Sequence, residues 1–289
     1  MNNIAILDNS AQFTQNDKIE QQQLYTHFDS KYRTSWCYMQ GLPRPCFTPE
    51  LLSGFQQYIK TIKQEMQESN GEKYDFIVVA SDVEGVFNLG GDLALFKQCI
   101  EDGRKEDLLS YAISCIDVLY ANMTHLEQNL STISLVQGDA LGGGFEAALA
   151  SNVMVAEKGV KMGLPEVLFN LFPGMGAFSF LSRKVGASMA EKIILSGKMY
   201  SSDELHEIGI VDILAEKGEG ETAVYDYIKS VSKQPNSYQA LRKVKDVCNP
   251  VTYKELVDIT RIWVDAAFNL TDRDIKMMNR LIRRQNALS

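Results

Sequence analysis

Thr132-Ile133-Ser134-Leu135-Val136-Gln137-Gly138-Asp139-Ala140-Leu141-Gly142-Gly143-Gly144-Phe145-Glu146 is the stretch on which the reading of this chain turns. Residues 132–136 form a short apolar run rich in β-formers, which predicts a buried strand. The glycines that follow lead into Phe145-Glu146-Ala147-Ala148-Leu149-Ala150, a helix-forming segment. A glycine run between strand and helix leaves backbone N–H groups unshielded at a helix N-terminus, where they can donate to an anion or a developing oxyanion. The same order recurs on either side. Upstream, the apolar run 76–80 passes a turn at Glu84-Gly85 into Val86-Phe87-Asn88-Leu89-Gly90-Gly91-Asp92. Residues 93–126 then carry Leu95, Phe96, Ile100, Leu108, Leu109, Ile113, Ile116 and Leu119 at helical spacing. Downstream, the run 153–156 precedes Met162-Gly163-Leu164-Pro165-Glu166-Val167. Repeated strand, glycine turn and helix predict an α/β architecture whose site is built from strand ends and the turns after them.

Residues 32–39 read as a strand that ends at Gly41-Leu42-Pro43-Arg44-Pro45. Thr48 before Pro49 is an N-cap followed by proline at the first helical position, and Leu51, Leu52, Phe55, Ile59, Ile62 and Met66 mark an amphipathic helix. Ser201 and Glu204 have capping-box spacing, and Gly209 closes that helix. The pattern is helical from Ser237 through Met278. The expected organisation is a polar arm or edge strand over residues 1–24, a core over 25–236, and a helical C-terminal subdomain over 237–289 that covers the site.

The 289 residues are 45% hydrophobic and 23% charged, enough apolar material for a sizeable core and pocket. With 29 Lys+Arg against 37 Asp+Glu the net charge is -8, which argues against nucleic acid as a partner. Five cysteines without a C-x-x-C pair suggest neither a disulfide framework nor a zinc site, and point to a reducing compartment. No leader-like start and no long apolar run are read, so the expected location is cytoplasmic, without a membrane span.

Several chemistries fit a glycine loop. A phosphate-binding P-loop does not, because no Gly-Lys-Ser/Thr follows. Gly142, Gly144 and Ala147 do fit the dinucleotide pattern G-x-G-x-x-A, with Glu166 about twenty residues on, although Glu166 follows a proline turn instead of ending a strand. A plain strand-to-helix crossing is the simplest use of glycine. What favours catalysis is the company: Glu146 two residues after the glycines, and Glu166 at the next turn. Taken singly, each is more often a solvated residue. Brought together in an apolar pocket they cannot both ionise easily, so one is expected to serve as acid and the other as base. Gly90-Gly91 offers a second N–H donor to the same oxygen. His27, His125 and His206 are isolated. The stripe Leu256, Ile259, Trp263, Ala266, Ala267 and Leu270 reads first as core and second as the wall of an acyl tunnel. Arg280, Arg283 and Arg284 read as a solvated face or as a meeting point for an acidic carrier protein.

Phe87-Asn88-Leu89-Gly90-Gly91-Asp92-Leu93, Gln137 through Glu146, and Leu164-Pro165-Glu166-Val167 through Phe172-Pro173-Gly174-Met175-Gly176 resemble, in order and spacing, the signature blocks of the crotonase (enoyl-CoA hydratase/isomerase) superfamily. The resemblance runs from about Thr34 to Asp212. It implies a ClpP/crotonase-like fold of repeated ββα units. It also implies an oxyanion hole from Gly91 and Gly143, catalytic carboxylates at Glu146 and Glu166, and a turn at Gly174 that helps hold the reacting water or hydroxyl. Leu141, Gly142, Gly174, Met175 and Trp263 are the expected substrate contacts. Within the superfamily, Arg33-Thr34-Ser35-Trp36-Cys37-Tyr38-Met39, Pro43-Arg44-Pro45-Cys46-Phe47-Thr48-Pro49 and Ile194-Leu195-Ser196-Gly197-Lys198-Met199-Tyr200-Ser201 resemble bacterial diffusible signal factor synthases. That likeness implies a cis-2-unsaturated fatty acid signal, made by dehydrating a 3-hydroxyacyl thioester on acyl carrier protein and hydrolysing the thioester, without metal or redox cofactor. It also implies a homo-oligomer such as a trimer, and regulation by a receiver domain of a sensor kinase. The long insert-like stretch between Asp92 and Thr132 departs from ordinary hydratases and leaves CoA as the carrier open. An ordinary enoyl-CoA hydratase and a non-catalytic binding protein of the same fold are the competing readings.

Overall fold

A computed structural model describes residues 23–287. Residues 1–22 of the expected arm lie outside the described residues. Gln23 is a turn residue, and Leu24 opens the first strand, β1 (Leu24–Asp29), which pairs antiparallel with β2 (Thr34–Met39). After β2 come helix α1 (Pro49–Glu68), β3 (Phe76–Ser81), β4 (Val86–Asn88), α2 (Leu93–Glu101) and α3 (Lys105–Met123). Next are β5 (Ser131–Val136), β6 (Asp139–Leu141), α4 (Gly143–Leu149), β7 (Val153–Glu157), β8 (Lys161–Gly163), a 3₁₀ turn at Pro165–Phe169 and α5 (Ala177–Val185). The chain continues through α6 (Ala187–Ser196), β9 (Met199–Ser201), α7 (Ser202–Glu207), β10 (Ile213–Ala215) and α8 (Gly220–Val231), and through α9 (Pro235–Cys248), α10 (Tyr253–Ala267) and α11 (Asp272–Asn286).

The ββα repeat is visible in how the strands are dealt out. In the successive pairs β3/β4, β5/β6 and β7/β8 the first strand enters one sheet, ordered β1-β2-β3-β5-β7-β10, and the second enters another, ordered β4-β6-β8-β9. In the larger sheet, alternate residues serve two apolar layers, as the period of two requires. Trp36, Val78, Ile133, Leu135, Val153 and Val155 pack against Val224 and Ile228 of α8. Cys37, Ile77, Val136 and Met154 belong to the main core with Leu51, Phe55 and Ile62 of α1 and Leu108, Ile116 and Leu119 of α3. All six residues of β5 are buried, as expected of a parallel strand covered on both faces.

The smaller sheet positions the site. Parallel pairing sets Val86 opposite Asp139 and Asn88 opposite Ala140, and then Ala140 opposite Met162 and Leu141 opposite Gly163. The turns that follow β4, β6 and β8 therefore emerge side by side. These three-residue strands are too short for a period-two pattern, and the sequence shows them only as parts of glycine turns. The helix expected over 93–126 is interrupted. α2 stops at Glu101, Gly103 takes φ +67°, and α3 restarts at Lys105; the apolar spacing continues on both sides, which hides the break. His125 and Leu126 fall in a separate 3₁₀ turn. The capping box at Ser201 and Glu204 forms as expected. The C-terminal region is three helices with breaks at 249–252 and 268–271, and it extends beyond Met278 to Asn286.

Gly144, in the first turn of α4, lies against the backbone of Asn88, so that a methyl group there would overlap the Asn88 carbonyl. This approach locks α4 to β4. Gly144→Ala is expected to lower stability by about 1–3 kcal/mol through overpacking. A urea midpoint indistinguishable from wild type would contradict the tight approach.

Candidate active site

A cavity of about 730 Å³, its mouth included, opens where the three turns meet. Gly91, Leu141, Gly142, Gly143, Glu146, Glu166, Gly174, Met175 and Trp263 all line it, so every site residue expected from sequence reaches one space. The walls are otherwise mainly apolar. Leu93 and Phe96 come from α2, Tyr111, Ala112 and Cys115 from α3, and Phe169 and Leu171 from the segment after β8. α10 contributes Trp263 and α11 contributes Leu281, Arg284 and Gln285. Trp263 is both core and wall: it is 5% exposed, lies edge-on to Phe96 at 5.0 Å, and fills the space that a side chain on Gly174 would need.

The two glycine elbows converge. Gly142 takes φ +52° as the N-cap of α4, and its own N–H is bound to Gly163 O at 2.8 Å. Gly143 is the first helical residue, so its N–H precedes the reach of intrahelical acceptors. On the other elbow, Gly90 takes φ +89°, its N–H donates to Asn88 Oδ1 at 2.8 Å, and its carbonyl accepts from Phe47 N at 2.7 Å. A Cβ on Gly90 would stand 2.8 Å from Leu141 O and 3.0 Å from Gly143 N, so only glycine permits the elbows to touch. Gly91 N is 3.3 Å from the position a Cβ on Gly143 would take. Among the described residues, no hydrogen bond uses the N–H of Gly91 or of Gly143. Two adjacent, unengaged donors facing an apolar cavity have the form of an oxyanion hole.

Buried polar side chains hold the Gly91 elbow from both sides. Gln285 of α11, 3% exposed, donates through Nε2 to Leu89 O at 3.1 Å and Gly91 O at 2.8 Å, and its Oε1 accepts from Leu93 N at 3.4 Å. The Tyr111 hydroxyl accepts from Asp92 N at 3.0 Å and donates to Phe47 O at 2.5 Å. Asp92 caps α2 by accepting from the N–H groups of Ala94 and Leu95, and pairs with Arg44 at 2.6 Å. Sequence reasoning missed Gln285 and Tyr111. A lone glutamine in a charged helix resembles a solvated residue, and the only available signal is its position on the face shared with Met278 and Leu281.

Glu146 is 1% exposed in the first turn of α4. Its Oε1 accepts from the N–H groups of Met175 at 2.8 Å and Ala177 at 2.9 Å, which fixes the carboxyl and ties the Gly174 turn to α4. Glu166, from the 3₁₀ turn, places Oε1 over Gly142, while its buried Oε2 has no hydrogen-bond partner. Burial pushes Glu146 up to about 7, opposed by the two N–H bonds that favour the ionised form. Burial pushes Glu166 up to about 8, assisted by the negative charge of Glu146. Near neutrality such a pair shares one proton. Two carboxyls so placed can exchange a proton with a group held beside the two N–H donors. Glu166 sits on a 3₁₀ turn over Gly142, not at a strand end, which removes the dinucleotide alternative's acidic partner. His125 and His206 lie away from the cavity, bonded to Asn152 and to Val211 O respectively. Among the described residues no helix is long and apolar enough to cross a membrane.

The family model for enoyl-CoA hydratase/isomerase matches residues 47–260, a span that holds both elbows and both glutamates and ends three residues before Trp263. The chain belongs to this family. Among curated relatives, the Arabidopsis thaliana peroxisomal fatty acid beta-oxidation multifunctional protein AIM1 is 30% identical over 161 residues, covering 56% of this chain and 22% of that protein. Human mitochondrial methylglutaconyl-CoA hydratase is 29% identical over 188 residues, covering 64% of this chain and 53% of its own length. The chain thus spans well under two thirds of either relative. Among solved structures, Pseudomonas aeruginosa DspI has the same fold, with a TM-score of 0.65 at 22% identity over 80% of this chain and 89% of that one.

The raised carboxyls make stability depend on pH with a definite sign. Because folding raises both pKa values, the protonated pair suits the folded state; its contribution is complete below the ordinary glutamate value of about 4.3 and is lost as pH rises through the folded values. Glu166→Gln removes this titration. The variant is expected to gain on wild type by on the order of 2 kcal/mol between about pH 5 and about pH 8. Urea unfolding at both pH values measures the difference, and a gap that stayed constant or narrowed would show that the carboxyl is not held neutral by burial.

Proposed function

We propose that this chain dehydrates a 3-hydroxyacyl thioester presented by acyl carrier protein and then hydrolyses the thioester, releasing a cis-2-unsaturated fatty acid signal. The observation that carries the reading is the single cavity in which Glu146 and Glu166, both pushed up by burial, face the N–H groups of Gly91 and Gly143 beneath apolar walls. The two N–H groups polarise the thioester carbonyl, so that removal of the α-proton by one carboxylate yields a stabilised enolate. Collapse of the enolate forms the Cα–Cβ double bond and expels the β-hydroxyl, which leaves as water after taking the proton of the other carboxyl. In the second step a carboxylate deprotonates a water that attacks the thioester carbon; the same donors hold the tetrahedral oxyanion, the C–S bond breaks, and the carrier thiol departs with a proton. Trp263, Leu141, Phe96 and Met175 supply the apolar surround for the acyl chain. A homo-oligomer in the cytoplasm goes with this reading; the outward Leu241, Val244 and Val247 of α9, a helix with no buried residue, offer a face for it.

Ordinary enoyl-CoA hydration is the second reading, favoured by the hydratase among the chain's relatives. Mass spectrometry after incubation with 3-hydroxyacyl-carrier protein separates the two, because only the first releases free unsaturated acid. Glu146→Gln and Glu166→Gln are each expected to abolish product, since one carboxyl cannot be acid and base in the same step. Near-normal turnover in either variant would defeat the mechanism. Gln285→Leu is expected to lower kcat by about 10-fold or more with little change in KM, because the Gly91 donor loses its support. If melting temperature alone fell, Gln285 would be a packing residue and nothing more.

A further inference from the structure

The outer face of α11 carries a row of cations. Arg273, Lys276, Arg280, Arg283 and Arg284 are all exposed, and their spacing places them within an arc of roughly 100° along about 16 Å of helix. The opposite side of the same helix carries the inward residues Met278 and Gln285. Among the described residues, none of Arg273, Lys276, Arg280 and Arg283 is in an ion pair, while Arg284 pairs with Asp139 at 2.6 Å and lines the cavity. The row is unusual in a chain whose net charge is -8. It begins at the rim of the site and runs away from it.

Resting on the acyl-thioester reading above, we propose that this face of α11 docks an acidic carrier protein and sets the direction from which its acyl arm enters the cavity. A helix face about 16 Å long with four unpaired cations exceeds what the clustered phosphates of a single nucleotide would engage, and it matches an acidic helix laid alongside. Arg284 sits where the row meets the cavity, so a flexible arm leaving a carrier bound on the row reaches the rim without crossing the protein surface. The face attracts its partner chiefly through long-range charge, which governs the rate of encounter and its sensitivity to salt.

The test uses the full chain with Lys276→Glu/Arg280→Glu/Arg283→Glu, and the corresponding triple glutamine variant in case charge reversal disturbs folding. None of these side chains lines the cavity. Binding of unacylated carrier protein is read by fluorescence anisotropy at low and moderate salt. Turnover is read with one 3-hydroxyacyl group carried on the carrier protein, on CoA, and on a small thiol such as N-acetylcysteamine. Wild type is expected to bind the carrier with an affinity that falls as salt rises. The variants are expected to lose 10-fold or more in that affinity and in kcat/KM for the carrier-linked substrate, with the small-thiol substrate unchanged. No binding by wild type, or an equal loss on all three substrates, would overturn the docking assignment. A loss confined to the CoA substrate would overturn it too, by assigning the row to nucleotide phosphates. Failure of wild type to process any substrate while still binding the carrier would contradict the reaction and leave the docking face standing.

Discussion

Parallel pairing among β4, β6 and β8 is the constraint on which the site depends. Each strand is only three residues long, so the ladder adds little cohesion by itself. Its effect is geometric: Asn88, Ala140 and Met162 are set in neighbouring rows, and each strand ends at a turn on the same edge. The Gly90-Gly91 elbow, the Gly142-Gly143 elbow and the segment carrying Glu166 are thereby brought to one point, although 76 positions separate Gly90 from Glu166 in the chain. The absence of side chains at Gly90 and Gly144 lets the elbows close to contact. The central strands of the larger sheet, β5 and β7, are buried throughout and supply the base from which these short strands spring.

Convergence then creates the chemistry. Enclosure by Trp263, Phe96, Phe169 and Leu171 removes water from two carboxyls that share one pocket, which raises both into the range where proton exchange near neutrality is easy. The Met175 and Ala177 N–H groups restrain Glu146, while Glu166 keeps one buried oxygen unpartnered. A buried carboxyl oxygen without a partner, on a residue that lines the cavity, is an exception to the usual pairing of buried polar atoms. The C-terminal helices matter equally: α10 supplies a wall, and α11 supplies the Gln285 amide that pins the Gly91 elbow.

The glycines and glutamates were legible because each elbow is a local motif, with strand, turn and helix all within about fifteen residues. β3, β5 and β7 were legible as short apolar runs, but which of their residues serve which of the two apolar layers appears only in the packed sheet. β6 and β8 were hidden because three residues cannot show a period, and the break at Gly103 was hidden because apolar spacing continues on both sides of it. Tyr111 and Gln285 were hidden for a different reason: their partners lie 64 and 194 positions away, at Phe47 and Gly91, and no local pattern records a bond of that span. The arginines of α11 were visible as charge, but their place at the rim of the cavity exists only once the helix has packed.

The central claim is that the Gly91 and Gly143 N–H groups grip a thioester carbonyl between the two glutamates. Isotope-edited infrared difference spectroscopy of a carbonyl-labelled, non-reactive acyl thioester bound to the protein measures that grip directly. The account predicts that the carbonyl stretch moves to lower frequency than in water, and that the shift is lost when Gly143 is replaced by valine in a variant that still binds the acyl chain. A bound carbonyl at or above its frequency in water would contradict it.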